Sequence, residues 1–108
     1  MRISNLFTDA EPPQADERFD TLLRHKNLVV ERIISSASVT PQEYVQTQDE
    51  WVLLLQGEAV LQVAGESIEL KAGDHLFLPA GAAHTVTHTT EGAMWLAVHL
   101  HPIRCLLP

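Results

Sequence analysis

Two residues whose types and spacing could do chemistry are His84 and Glu50. His84 ends the block GDHLFLPAGAAH, residues 73–84, which has the spacing G-x5-P-x-G-x2-H, and Glu50 is followed after six residues by Gly57. Imidazole binds metal ions or transfers protons near neutral pH, and a buried carboxylate can do both as well. We therefore expect a metal or acid–base site at this pair. A bland alternative is that His84 and Glu50 only satisfy each other.

Turn-forming residues position His84 at the start of a strand. Gly73-Asp74 indicates an entry turn, and Pro79 to Gly81 indicates an exit turn that ends the strand between them. Because side chains alternate along a strand, His84, Val86 and His88 are predicted to share one face. The threonines between them suit the wetter face, so the face of His84 is predicted to point inward.

The rest of the chain has the pattern of an all-β protein with one short N-terminal helix. Residues 1–15 resemble an extended lead-in. Asp16 is a predicted helix N-cap, and after it Phe19, Leu22 and Leu23 have the i, i+3, i+4 spacing of an apolar helical stripe. From Leu28 onward about eight short strands follow, separated by turn signals such as Gly57-Glu58 and Gly65-Glu66. The pattern predicts an antiparallel sandwich or barrel. We expect an N-terminal extension over 1–27 and a barrel domain over 28–108.

Composition excludes some classes of function. The chain has 108 residues, with 7 basic and 14 acidic side chains and a net charge of −7. This charge argues against binding to nucleic acid or to anionic membranes. The single Cys105 cannot form an intramolecular disulfide, and no apolar run approaches the roughly 20 residues of a membrane helix. A cytoplasmic location is the expectation.

The motifs resemble those of the cupin superfamily, over roughly residues 28–101. Its second motif is G-x5-P-x-G-x2-H followed by Asn, and this chain matches it through His84, with His88 where the asparagine would stand. Its first motif is G-x5-H-x-H-x3,4-E-x6-G, and Glu50 with Gly57 matches the end of it. The resemblance implies a jelly-roll barrel, also called a double-stranded β-helix, with a site at its mouth.

The resemblance also implies a divalent metal, held in cupins by three histidines and a glutamate. Here the H-x-H positions fall on Tyr44 and Gln46, or on Glu43 and Val45 with the longer spacing. We favour the first alignment. It predicts Glu50, His84 and Gln46 as an incomplete ligand set for Zn, Ni, Mn or Fe.

Other side chains are assigned by position. Tyr44 and His88 are predicted to line the pocket, because His88 is too far along its strand from His84 to share an ion. His99 and His101 stay open: they point outward if Leu96, Val98 and Leu100 face the core, and inward if the faces are reversed.

Two functions are compatible with these residues. The first is a metal-binding cupin that catalyses isomerase, lyase or dioxygenase chemistry on a small polar molecule. The second is a metal-independent, non-catalytic cupin that binds a small ligand in the same cavity. For either one we expect a homodimer, with the N-terminal segment and the apolar outward positions Trp51, Leu53 and Leu55 as candidate contacts.

Overall fold

The protein folds as two antiparallel β-sheets that enclose one core. The structure is a computed structural model that describes residues 1–103. The larger sheet has the strand order β1-β2-β9-β4-β7, and the smaller one has the order β3-β8-β5-β6. The strand bounds are β1 Glu17–His25, β2 Leu28–Ser35, β3 Glu43–Tyr44, β4 Asp49–Gln56, β5 Glu58–Val63, β6 Glu66–Lys71, β7 His75–Leu78, β8 His84–Thr89 and β9 Ala93–Leu100.

The predicted all-β class is confirmed, and the eight strands expected after residue 28 are present, although β3 is only two residues long. The expected boundary at residue 28 falls at the β1–β2 turn, where Lys26 has a φ of 52°. The last residues of the predicted barrel domain, 104–108 with Cys105, lie outside the described part of the chain. Among residues 1–103 there is no helix that could cross a membrane.

The predicted N-terminal helix is wrong, because Glu17–His25 forms strand β1 instead. It pairs with β2 along its whole length, and a bulge at Leu22 shifts the register. Phe19, Leu22 and Leu23, which suggested a helical stripe, are all exposed at this edge of the sheet. The helical spacing was therefore a coincidence, and a two-residue turn with a ready β2 partner decides the structure.

The core lies between the two sheets and is built from inward residues of most strands. On β9 the inward side chains include Ala93, Trp95 and Ala97, and they meet Leu54 of β4 and Leu61 of β5. Small alanines on either side of Trp95 leave room for its ring. This packing holds β9 beside β4. It thereby sets the positions of the polar residues at the ends of these strands, Glu50 and His99.

The N-terminal segment lies against the outer face of the larger sheet, where Arg32 of β2 holds it. The guanidinium donates to the carbonyls of Leu6, Thr8 and Asp9 and to the carboxylate of Asp20. Arg32 is only 6% exposed. Every N–H of its fork therefore has an acceptor, which explains how a charge can be buried on this face.

Candidate functional site

The site lies at one end of the barrel, where Glu50 and His99 sit side by side on neighbouring strands. Glu50 of β4 pairs directly with His99 of β9 and with Leu78 of β7. The two polar side chains point inward at the strand ends, beyond the apolar core. Glu50 and His99 are 6% and 8% exposed, so both carry polar groups out of water.

His84 reaches the same point from the smaller sheet. It starts β8, pairs with Tyr44 of β3, and is 8% exposed. Its Nε2 lies 3.9 Å from Oε1 of Glu50, and Nε2 of His99 lies 4.0 Å from Oε2 of the same carboxylate. The structure therefore brings together the two residues that the sequence singled out, and it adds His99 on the other side.

Sequence reasoning left His99 open and missed Glu31 and Gln48. Nε2 of His99 lies 2.8 Å from Oε1 of Glu31, and Gln48 Nε2 lies 3.4 Å from His99 Nδ1. A usable signal was present in the strand itself: Ala93, Trp95 and Ala97 are the inward residues of β9, and the alternation continues to His99.

Two glutamine amides connect the charged groups. Gln46 Nε2 donates to Oε1 of Glu50 at 3.1 Å and lies 3.5 Å from Nε2 of His84. Gln48 Nε2 donates to Oε1 of Gln46 at 3.0 Å. The chain of amides fixes the orientation of Gln46, whose N–H groups, not its oxygen, face Glu50 and His84.

The hydrogen bonds assign the histidine tautomers. Nδ1 of His84 lies 3.3 Å from the carbonyl of Ala82, which can only accept, so Nδ1 carries the proton and Nε2 presents a lone pair to the site. For His99, Gln48 approaches Nδ1 and Glu31 approaches Nε2. The proton of neutral His99 therefore lies on Nε2 and is donated to Glu31.

The charges of the site shift its proton affinities. Burial raises the pKa of Glu50, and Glu31 and Glu17 add to the rise, although His99 and His84 oppose it. The hydrogen bond to Glu31 raises the pKa of His99 against the opposing effect of burial, with Glu50 adding to the rise. A carboxyl that holds its proton more tightly than usual is suited to general acid–base work.

The two predicted pocket residues have different positions. The Tyr44 ring is stacked on the His84 ring at a centroid distance of 5.9 Å and is partly exposed. His88 is exposed and does not share the inward face of His84. The reason is a bulge, because Thr87 is an extra residue between the pairs Val60–His88 and Leu61–Val86. His88 instead lines a shallow groove on the outer face with Glu58 and Lys71.

The donor set fits a tightly held metal ion poorly. Only Glu50 and the Nε2 lone pair of His84 are directed to a common point, and Gln46 offers its N–H groups there. A catalytic zinc has three protein ligands. Within residues 1–103 no group of three or more His, Cys, Asp or Glu side chains is arranged to hold an ion. The Gln46 amide occupies the place between Glu50 and His84 that a cation would take.

Comparison with known proteins decides the family. The family model of the cupin domain matches residues 30–99. The chain belongs to the cupin family. The resemblance of its motifs is thereby confirmed, and the two facing antiparallel sheets are the jelly-roll barrel of cupins. A search of the curated proteins finds no significant match.

Solved structures give the same fold. A proposed mannose-6-phosphate isomerase from Ralstonia eutropha JMP134 is 36% identical, with a TM-score of 0.82, over 94% of this chain and 100% of the other. A protein from Thermus thermophilus is 24% identical, with a TM-score of 0.81, over 94% and 100%. An RmlC-like cupin from Shewanella frigidimarina NCIMB 400 is 17% identical, with a TM-score of 0.74, over 85% and 82%.

Proposed function

We propose that this cupin binds a small polar carbonyl compound at the mouth of its barrel, beside Glu50, and moves a proton on it, as an isomerase does. The observation that carries the proposal is the buried Glu50 carboxylate, which has one hydrogen bond among the described residues and lies about equally far from two imidazoles. The 36% identity to a proposed mannose-6-phosphate isomerase supports the same class of chemistry.

The proposed step uses Glu50 as the base. Its carboxylate takes the proton from the carbon next to the carbonyl, the electrons of that C–H bond form the new C=C bond, and the carbonyl oxygen becomes an enolate oxygen. The Gln46 N–H that faces His84 across 3.5 Å is held only weakly there and can donate to that oxygen instead. In an aldose or ketose, the hydroxyl proton on the carbon that lost its hydrogen passes to the enolate oxygen. Glu50 then returns its proton to the former carbonyl carbon, the electrons of the C=C bond form that new C–H bond, and the oxygen that lost its proton becomes the new carbonyl oxygen. The raised pKa of Glu50 brings its affinity for the proton closer to what the transfer needs.

Proton exchange tests this proposal without knowledge of the product. A panel of aldoses, ketoses and small carbonyl compounds is incubated with the protein in D2O, and loss of the signal of the C–H next to the carbonyl is followed by NMR. The expected result is exchange with at least one compound, reduced about a hundredfold or more in Glu50→Gln. Glu66→Gln, an exposed change of equal charge on β6, is the matched control. No exchange across the panel would sink the proposal.

A divalent metal at Glu50, His84 and Gln46 is a second candidate. It is favoured by one observation: the Nδ1–H of His84 faces the Ala82 carbonyl, the partner that metal-binding histidines commonly have. Its cost is that the Gln46 amide must rotate to present oxygen. Metal analysis of protein purified without an affinity tag decides it. A near-stoichiometric ion that is lost in His84→Ala would favour this candidate over metal-free chemistry.

A non-catalytic ligand-binding role is the alternative for the same cavity. It predicts that a small molecule binds and protects the fold against heat, while the hydrogen next to its carbonyl never exchanges. The same panel separates it from the isomerase proposal, because binding without exchange supports only the binding role.

We also propose a homodimer and keep the cytoplasm as the proposed location. The support for the dimer is apolar surface at the edges of the larger sheet: Leu23 of the edge strand β1 is 49% exposed, and Phe77 of the other edge strand, β7, is 58% exposed. A long exposed edge strand can pair with a second copy. Light scattering at micromolar concentration is expected to give twice the chain mass, and a monomer would contradict the dimer.

A further inference from the structure

The interior of the barrel carries more negative charge than the Glu50 site alone suggests. Glu17 of β1 lines a cavity of about 50 Å³ together with Glu50, among the apolar side chains Ile33, Val52, Leu61, Leu78, Val86 and Trp95. No lysine or arginine of the described chain lines this cavity. Glu31, which accepts from His99, is a third interior carboxylate. Burial raises the pKa of both Glu17 and Glu50, and Glu31 adds to each rise.

Glu17 also lines a groove outside this cavity. The groove has a volume of about 330 Å³, within the usual range for small-molecule sites. Its lining includes two exposed aromatic rings, those of Phe19 and Tyr44, together with the polar side chains of Asp16, Thr40 and Gln42. Among the described residues Glu17 alone lines both spaces, so it stands at the junction between the groove and the interior.

The bonding of Glu17 leaves one oxygen free for a ligand. Oε2 accepts from the Ser35 hydroxyl at 2.6 Å, and the same hydroxyl oxygen accepts from the Trp95 indole N–H at 3.1 Å. Oε1 has no hydrogen bond within residues 1–103, and it is not among the fully enclosed unsatisfied atoms, of which there are none there. One oxygen is therefore fixed by the protein and the other can accept from a ligand.

We infer that the groove of Asp16, Glu17, Phe19, Thr40, Gln42 and Tyr44 binds an uncharged, hydroxyl-bearing molecule in preference to its phosphorylated form, with Glu17 as the residue that sets this specificity. The inference rests on the proposed function, because it places the same ligand in the groove that shares Glu17 with the cavity of Glu50. Aromatic faces with carboxylate, amide and hydroxyl groups suit a molecule of apolar C–H faces and many O–H donors. A phosphate group would meet Asp16 and Glu17 with no cation among the described residues that line the groove, and unpaired like charges are strongly unfavourable.

The Trp95 indole provides the readout, because its N–H is linked to Glu17 through Ser35. The Trp51 indole, half-buried on the outer face beside His75, is an internal reference. D-mannose and D-mannose 6-phosphate are titrated against labelled protein, and the two indole signals are followed by NMR. Mannose is expected to shift the Trp95 signal and to leave the Trp51 signal unchanged. Mannose 6-phosphate is expected to bind at least about tenfold more weakly than mannose.

Two variants sharpen the test. Glu17→Gln keeps the shape of the side chain and an acceptor for Ser35 but removes the charge. It is therefore expected to reduce the ratio of the affinities for mannose and mannose 6-phosphate at least about threefold, while Glu66→Gln leaves that ratio unchanged. Tyr44→Leu is expected to weaken both sugars by a similar factor, because it removes a ring and no charge. Equal or tighter binding of mannose 6-phosphate would overturn the inference, as would a preference unchanged in Glu17→Gln.

The failure of this inference is distinguishable from the failure of the proposed function. If neither sugar shifts the Trp95 signal, the hydroxyl-bearing class is overturned, while the proton-transfer proposal is judged by the wider panel of carbonyl compounds. If mannose binds with the expected preference and no compound exchanges the hydrogen next to its carbonyl, the specificity stands and the isomerase proposal falls.

Discussion

Arg32 and Glu50 are both buried charges in the larger sheet, and they differ in how completely they are bonded. Arg32, on the outer face, makes five hydrogen bonds, one for each N–H of its guanidinium. Glu50, on the inner face, accepts one within residues 1–103, from Gln46, and its two imidazole neighbours stay beyond hydrogen-bond distance. Full bonding marks a structural role for Arg32, whereas unused bonding capacity marks Glu50 as a place for a ligand.

The largest expected effect is the loss of the Arg32 clamp. Arg32→Ala removes the donors of three carbonyls and the partner of Asp20, and we expect a loss of about 3 kcal/mol in the free energy of unfolding. Arg32→Lys should recover little of it, because an ammonium cannot reproduce the planar fork. Urea denaturation measures both. A change below about 1 kcal/mol in Arg32→Ala would contradict the structural role.

Glu50→Gln is expected to have the opposite sign. Because burial raises the pKa of Glu50, its charged form costs stability at neutral pH, and a neutral amide of the same shape relieves that cost. We expect the free energy of unfolding to stay level or rise by about 1 kcal/mol at pH 7. Urea denaturation beside the Arg32 variants checks this, and a clear loss would mean that Glu50 is a structural charge after all.

The pH dependence separates the two regions further. Glu50 and Glu17 have raised pKa values, so their folded forms bind protons more tightly than the unfolded chain does above the ordinary value of 4.5. Their contribution to the free energy of unfolding therefore falls as pH rises from 4.5 through the raised pKa values. His99 is stabilising below its ordinary value of 6.5, and this is lost as pH rises through its raised pKa.

Asp20, on the outer face, has the opposite linkage. Burial would raise its pKa, but the hydrogen bonds from Arg32 and Arg18 lower it below 3.8, so its contribution is lost only as pH falls through the lowered pKa.

Denaturation at pH 3, 5, 6 and 8 should show stability falling from pH 5 to 8. Glu50→Gln should flatten the lower part of that fall and His99→Gln the upper part. A rise in stability between pH 5 and 8 would refute the interior contribution.

The smallest expected effect is spectroscopic. If the Ala82 carbonyl holds the Nδ1 proton of His84, nitrogen NMR of labelled protein at pH 8 should show Nε2 of His84 as the unprotonated atom. His99 should show the reverse, with its proton on Nε2. Identical tautomers for the two rings would contradict the assigned hydrogen bonds and the lone pair available at His84.

The sequence predicted the parts of this molecule that depend on local spacing. The turns around residues 73–84 and the strand starting at His84 follow from glycine, proline and alternation, and both are observed. The N-terminal strand was missed, because Phe19, Leu22 and Leu23 fit a helix and only the pairing with β2 decides otherwise. The alternation of β9 could have placed His99 inward, but its contact with Glu31 could not be predicted, since it joins residues 68 positions apart.

The position of His88 was predicted wrongly for the same reason, because it also depends on pairing with another strand. Strict alternation predicts it on the face of His84, and one additional residue in β8 moves it to the other face. A bulge depends on the partner strand and leaves little trace in the sequence of the strand that carries it. Only the residues before Thr87 therefore obeyed the simple prediction.

The extra residue Thr87 divides β8 into two halves, and the alternation of side chains between the two faces of the sheet does not continue from one half into the other. The half from His84 to Val86 serves the barrel mouth, and the half from His88 to Thr89 anchors the far end, where the Thr89 hydroxyl donates to the Ser36 carbonyl at 2.6 Å. Removing Thr87 would restore alternation and force one half to turn over. Substitutions in the far half leave the facing of His84 untouched, so in directed evolution the two ends of this strand can be diversified as separate libraries.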